Sequence, residues 1–285
     1  MATRSLVDAT GTAIALAAAP RRIVSLIPSV TEILFTLGVG DSVAGCTIFC
    51  TEPAEGVAAK MRVGGEKDPK LDVIRDLGAD LVVANVEENV RQHVDTLREW
   101  GIPVFVIYPR TVAAGVRLIE DLGELTRAQD RAQPLAADLR ARLGRVRGGA
   151  RPRQKVFCPI WRHPYMTINA DTYVSDMLRV CGGDNVFAGR PARYPEVTLD
   201  EVDAVRPDVM LFPDEPYRFR RAHLADFSAH REIPAVRDGR MHLVDGKLLS
   251  WYGPRIAQAL DVLPGFLSGE TDRPGGDSSE TAGRS

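Results

Sequence analysis

The chain has 285 residues, 45% of them hydrophobic, which is enough apolar material for one large or two medium cores. Its formal net charge is −2, so it lacks the basic excess of a nucleic-acid binder or of a protein drawn to an anionic membrane surface. No run approaches the roughly 18 apolar residues that would span a bilayer.

The chain opens with a short apolar run, Ala13 to Ala19, directly preceded by Asp8, Thr10 and Gly11. Only Arg4 supplies positive charge ahead of it, and no cysteine stands where a lipid anchor would need one, so the run does not read as a leader. It reads as half of a hairpin, with Ser5–Asp8 and Thr12–Leu16 paired across Ala9-Thr10-Gly11. Residues 1–20 are expected to pack on the lobe that follows, and the chain as written is expected to be cytoplasmic.

Strand and helix then alternate. Ile23 to Ile27 reads as a buried strand, and Ser29 with Glu32 as a capping box opening a helix that closes at Gly38. Val43–Cys46 is a short strand. Asp68 and Pro69 are expected to cap and open a helix that ends at Gly78. Leu81–Ala84 is a strand, residues 92–100 are helical, and Pro103–Tyr108 is a strand. This alternation predicts a parallel α/β sheet over residues 21–125.

A long helix follows, over residues 126–148. Leu135, Leu139, Leu143 and Val146 recur at three- and four-residue steps, four arginines load its C-terminal half, and Gly148-Gly149 end it. Pro134 should either kink this helix or mark its start. At about 30 Å it exceeds what a crossover between neighbouring strands needs, and it reads as a strut between two lobes.

The same pattern returns over residues 149–267. Strands are expected at 156–160, 209–212 and 241–244, and helices at 172–180 and 198–205, the last with a Thr198–Glu201 capping box. Leu71-Asp72-x-Ile74-x-x-Leu77-x-x-Asp80-Leu81 recurs in register as Leu199-Asp200-x-Val202-x-x-Val205-x-x-Asp208-Val209. Leu37-x-x-Gly40-Asp41-x-Val43 recurs more weakly from Val180 to Val186. The fold expected is therefore α/β, two Rossmann-like lobes with parallel sheets joined by one long backbone helix. Residues 268–285 carry no apolar anchors and are expected to be disordered.

No phosphate-binding, metalloprotease or nucleophile-elbow motif occurs. The five histidines are scattered, and the four cysteines (46, 50, 158 and 181) form no zinc framework. Free buried thiols are the reading for all four. A local disulfide, or a metal or redox site at Cys46 and Cys50, is the lesser alternative. Neither a resident cofactor nor a metal-ligand set is expected. Ligands of parallel α/β sheets bind beyond the carboxyl ends of the strands. Those ends carry Asn85 and Glu87, Arg110, Trp161, Arg162 and Tyr165, and the late loop adds Trp251 and Tyr252. Flat rings with a few fixed charges suit a rigid, partly apolar small molecule.

Arg22 to Leu34, Ala79-Asp80-Leu81-Val82, Gly101 to Val104, Gly182 to Phe187, Tyr194 to Thr198, Arg206 to Val209 and Gly253-Pro254-Arg255 resemble the class III substrate-binding proteins. These are the helical-backbone receptors for vitamin B12, ferric siderophores and haem that feed ABC importers. The resemblance covers about residues 5–267 and is nearest the vitamin B12-binding branch. It implies a non-enzymatic, monomeric receptor that takes cobalamin or an iron chelate into the interlobe cleft and works in the periplasm or at the cell surface. By position, Phe49 stands where that branch has a tyrosine against the corrin and Tyr194 where it has a tryptophan. Trp251 matches a second-lobe tryptophan, whereas Asn85 replaces a first-lobe one. Asp72 and Asp200 hold the places of the two glutamates that dock the family to its permease. The alternative, motivated by the missing leader, is a cytoplasmic corrinoid- or chelate-handling protein or enzyme on the same scaffold.

Overall fold

The computed structural model describes residues 5–149 and 152–268; of the tail expected over 268–285, Ser268 instead ends a helix and the rest lies outside the described residues. The hairpin forms from β1 (Ser5–Val7) and β2 (Ala13–Ala15), with Leu6 opposite Ile14. Buried Asp8 holds its turn, accepting from the backbone N–H of Thr10 (2.8 Å) and Thr12 (2.9 Å). Its second oxygen takes Arg98 (2.6 Å) and the N–H of Val106 (3.1 Å), and Ala9 donates to the Val106 carbonyl. One carboxylate thus shapes the turn and fastens the hairpin to the first lobe.

That lobe is a parallel sheet of β3 (Ile23–Ser25), β4 (Val43–Cys46), β5 (Met61–Arg62), β6 (Leu81–Asn85) and β7 (Val104–Ile107), in the order β5-β4-β3-β6-β7. Helices α1 (Pro28–Thr36), α2 (Ala54–Ala58), α3 (Leu71–Asp76) and α4 (Arg91–Glu99) connect the strands. Two caps expected from sequence do not form. Pro28 takes the first helical position of α1, which places Ser29 inside the helix, and the Glu32 carboxylate turns instead to Arg255. Pro69 bridges to Gly64 in an extended segment, so α3 starts only at Leu71, without a side-chain cap.

Two helices leave the first lobe. α5 (Val112–Thr126) is followed by Arg127 in the left-handed region (φ 57°), and the chain reverses into α6 (Gln129–Gly148). α6 is the long helix expected from sequence, three residues shorter at its start because Thr126 ends α5. It runs through Pro134, with Ala132, Ala136, Leu139 and Leu143 buried. α5 and α6 pack so closely that a Cβ on Gly123 would lie 2.4 Å from that of Ala132.

The second lobe comprises β8 (Gln154–Phe157), β9 (Gly183–Asn185), β10 (Val209–Pro213) and β11 (Met241–Val244), parallel in the order β11-β10-β8-β9. Its helices are α7 (Tyr173–Val180), α8 (Leu199–Val205), α9 (Pro234–Arg237), α10 (Lys247–Ser250) and α11 (Arg255–Ser268). The Thr198–Glu201 capping box is present. Matching β3 to β8, β4 to β9, β6 to β10 and β7 to β11 superimposes the two strand orders, with β5 unmatched. Both sequence repeats fall on equivalent elements. In the first lobe Asp80 donates its N–H to the Arg22 carbonyl and accepts the Arg22 N–H on its carboxylate. In the second lobe Asp208 makes the same pair of bonds with Lys155.

The lobes share one core. Ile33 and Leu34 of α1, Val116 and Ile119 of α5, Leu139 of α6, and Met177 and Ile256 of the second lobe belong to a single buried cluster. Asp176 of α7 accepts the Val112 N–H at the start of α5 (2.8 Å), and Gly115 faces Tyr173 and Ile256. Gly253 (φ 85°) lies flat against Ile33, where a Cβ would stand 2.3 Å from the isoleucine side chain.

Candidate functional site

The carboxyl ends of the two sheets face each other, as the side chains that bridge them demonstrate. On one flank Glu87, just past β6, accepts from Arg193 (2.5 and 3.2 Å) and from the Tyr194 hydroxyl (2.8 Å). Arg193 also pairs with Asp171, which reaches back to Arg110 (2.8 Å), and it lies over the rings of Tyr108 and Tyr194. On the other flank Lys247 and Arg255 of the second lobe meet Glu52 (2.9 and 3.3 Å), and Arg255 also reaches Glu32 (3.0 Å). Between the flanks the Asn85 amide donates to the Tyr252 hydroxyl (3.4 Å).

Around this line the apolar surface is unusually bare. Ile48 (56% exposed) and Phe49 (54%) follow β4, Val86 (44%) follows β6, Trp161 (44%) follows β8, and Tyr194 (39%) lies on the loop before α8. Isolated exposed hydrophobics need no explanation, but five gathered at facing strand ends mark a surface built for contact. Trp161 is held edge-on by Tyr217 at 5.5 Å.

The remaining residues expected at the site have internal duties. Arg162 makes a two-pronged pair with Asp226 (2.7 and 2.9 Å), and buried Tyr165 donates to the same carboxylate (2.7 Å). Asn85 is buried; its Oδ1 accepts the Glu87 N–H and so sets the turn that presents Glu87. Trp251 is buried between Lys247 and Arg255, which lie over its ring at 5.2 and 5.1 Å. Tyr252 packs edge-on to Tyr173 at 4.9 Å. Trp251, Tyr252 and Asn85 are therefore buried, while Phe49, Trp161, Tyr194 and Arg110 are exposed and Glu87 is half-buried.

Sequence reasoning missed Glu32, Glu52, Arg193 and Lys247, whose importance rests on partners in the opposite lobe. Arg193 directly precedes Tyr194, so scanning the neighbours of each aromatic for charge would have found it. Glu66 was missed too. Burial, followed by the charge of Glu88, pushes its carboxyl up to about 8, leaving it able to donate a hydrogen bond near neutral pH. Among the described residues no three His, Cys, Asp or Glu side chains gather as a metal site, and no helix is long and apolar enough to cross a membrane.

A profile of the family described as periplasmic binding protein matches residues 23–248. The vitamin B12-binding protein of Vibrio parahaemolyticus is 27% identical over 241 residues, 84% of this chain and 86% of that protein. The solved periplasmic vitamin B12-binding protein of Vibrio cholerae has a TM-score of 0.77 at 24% identity, covering 89% of this chain and 98% of its own. A periplasmic haem-binding protein from Roseiflexus gives a TM-score of 0.75 at 24% identity, covering 88% and 99%. These likenesses establish the two-lobed fold.

Proposed function

The chain belongs to the periplasmic binding protein family, whose members bind solutes without transforming them, and from that premise we propose that it captures a corrinoid or a flat metal chelate between its lobes for an ABC permease. The observation that carries this reading is the row of exposed apolar side chains at the facing strand ends, Phe49, Trp161 and Tyr194 among them. A conjugated macrocycle or chelate offers broad faces to such rings and polar groups at its edge. At that edge, the Glu87–Arg193 and Glu52–Lys247 pairs supply both signs of charge. Relatives described as binding vitamin B12 and haem support the same ligand class.

Solute transfer needs a docking face. Asp72 and Asp200 are both exposed, each in the first turn of a helix, α3 and α8, that are equivalents in the two-lobe repeat. Asp72 pairs with Arg75 on its own helix (2.7 Å). Two carboxylates related by the internal symmetry would give each lobe an equivalent contact with a permease, and we assign them that role in a single copy of the chain. We place the protein on the periplasmic side, as the family description does. The cytoplasmic expectation has no support there, and the apolar run at residues 13–19 begins as strand β2.

Titrating cyanocobalamin, haemin and a ferric hydroxamate siderophore, with tryptophan fluorescence and calorimetry as readouts, tests the ligand class. One of the three is expected to bind at micromolar affinity or better. Phe49→Ala and Tyr194→Ala should each weaken it by about tenfold, roughly 1.4 kcal/mol. Absence of heat and quenching with all three would remove this ligand class and leave the family assignment intact.

A further inference from the structure

Cys46 and Cys50 lie outside the contacts described so far, yet their surroundings are highly organised. Cys46 ends β4, and the chain turns at once, Cys50 donating its N–H to the Thr47 carbonyl at 3.2 Å. The turn sets the two thiols close enough to influence each other's protonation. Arg62 of β5 fixes the turn from outside, donating to the carbonyls of Thr47 (2.9 Å) and Cys50 (2.8 Å) and to the Cys46 sulfur (3.2 Å). The Cys50 sulfur accepts from the Thr31 hydroxyl (3.1 Å) and contacts the Thr47 hydroxyl (3.2 Å).

The two sulfurs are therefore unequal. The neighbouring Cys46, and then the Thr31 and Thr47 hydroxyls, lower the Cys50 thiol below its ordinary range, whereas the neighbouring Cys50 and burial raise Cys46. Cys158, buried without such donors, is pushed up to about 12 and behaves as an inert core side chain. A sulfur flanked by two hydroxyl groups, on the same turn as a second that meets a guanidinium, is an arrangement suited to thiol–disulfide exchange.

We propose that Cys46 and Cys50 are a thiol–disulfide exchange pair, which a disulfide-bearing oxidant converts into an intrachain bond closing the loop that carries Ile48 and Phe49. The Cys50 thiolate attacks one sulfur of the oxidant, RSSR, forming a mixed disulfide and expelling RS⁻. Cys46 then gives up its proton and attacks the Cys50 sulfur, and the second RS⁻ leaves. Two electrons pass from the protein to the oxidant, RSSR becomes two RSH, and one bond joins Cys46 to Cys50. Both sulfurs are buried, so reaction follows opening of the loop from Thr47 to Glu52. Its product is a covalent tether under the exposed Phe49.

The test incubates the full-length reduced protein with oxidised glutathione, then unfolds it in denaturant with an alkylating reagent and maps the thiols by mass spectrometry. The expected result is alkylation of Cys158 and Cys181 only, with a Cys46–Cys50 bond in the peptide containing both. Alkylation of all four, or a bond elsewhere, overturns the proposal. In Cys46→Ser the reaction should stop at a glutathione adduct on Cys50, and in Cys50→Ser Cys46 should stay unmodified. The reverse pattern overturns the assignment of the attacking sulfur. If either variant fails to fold, the wild-type mapping alone decides, and because it needs no bound solute its outcome is separate from the ligand assignment.

Discussion

Arg162 and Tyr165 show what a single residue in a sequence can and cannot reveal. Both follow a strand end, where ligand residues belong, but Asp226, more than sixty positions later, engages both. A partner that distant leaves no trace in local spacing. Asp80 and Asp208, by contrast, were legible, because each recurs in the repeat and each makes the same two backbone bonds. The Asp226 cluster has a pH signature. Hydrogen bonds from Arg162, and then from Tyr165, hold its carboxyl below the usual carboxylate range despite some burial. A carboxyl more acidic in the folded than in the unfolded chain, where it titrates near 3.9, stabilises the fold above that pH. The contribution is lost as pH falls through the folded value. Asp226→Asn should therefore lower the urea midpoint at pH 7, and the gap to wild type should close as the solution is acidified. A gap that persists at low pH would mean that shape, not charge, is what Asp226 supplies.

At the scale of elements, alternating apolar runs located most strands, and the stripe on α6 located the long helix. Start signals were less dependable: Ser29 and Asp68 look like caps, but the prolines beside them choose other roles, Pro28 opening α1 and Pro69 staying extended. α5 was not anticipated. Its signal was nonetheless present, for Arg117, Glu120, Asp121 and Glu124 recur at three- and four-residue steps opposite the buried Val112, Val116, Ile119 and Leu122. Gly123 and Gly144, one in each helix of the α5–α6 pair, read alike in sequence and should behave oppositely. A methyl at Gly123 meets Ala132, and Gly123→Ala should cost about 1–3 kcal/mol through overpacking. Nothing lies within 4 Å of a Cβ at Gly144, and there alanine should add about 0.5–1 kcal/mol by restricting the unfolded chain. Urea midpoints of the two variants, moving in opposite directions, would check this; a shared direction would contradict the packing described for the pair.

Each lobe keeps a buried cluster of its own, but the largest, around α5, draws side chains from both and ties them together. Unfolding should then be a single event. Trp100 reports on the first lobe and Trp161 on the second, so variants retaining one or the other should give coincident urea transitions. Separate midpoints would show that the lobes are stable apart. The contact between Gly253 and Ile33 carries a last consequence. It rests the backbone of the second lobe directly on Ile33 of α1, next to the Arg255–Glu32 pair, with no side chain of its own in between. Any side chain at position 253 would be a wedge, propping the jaws apart.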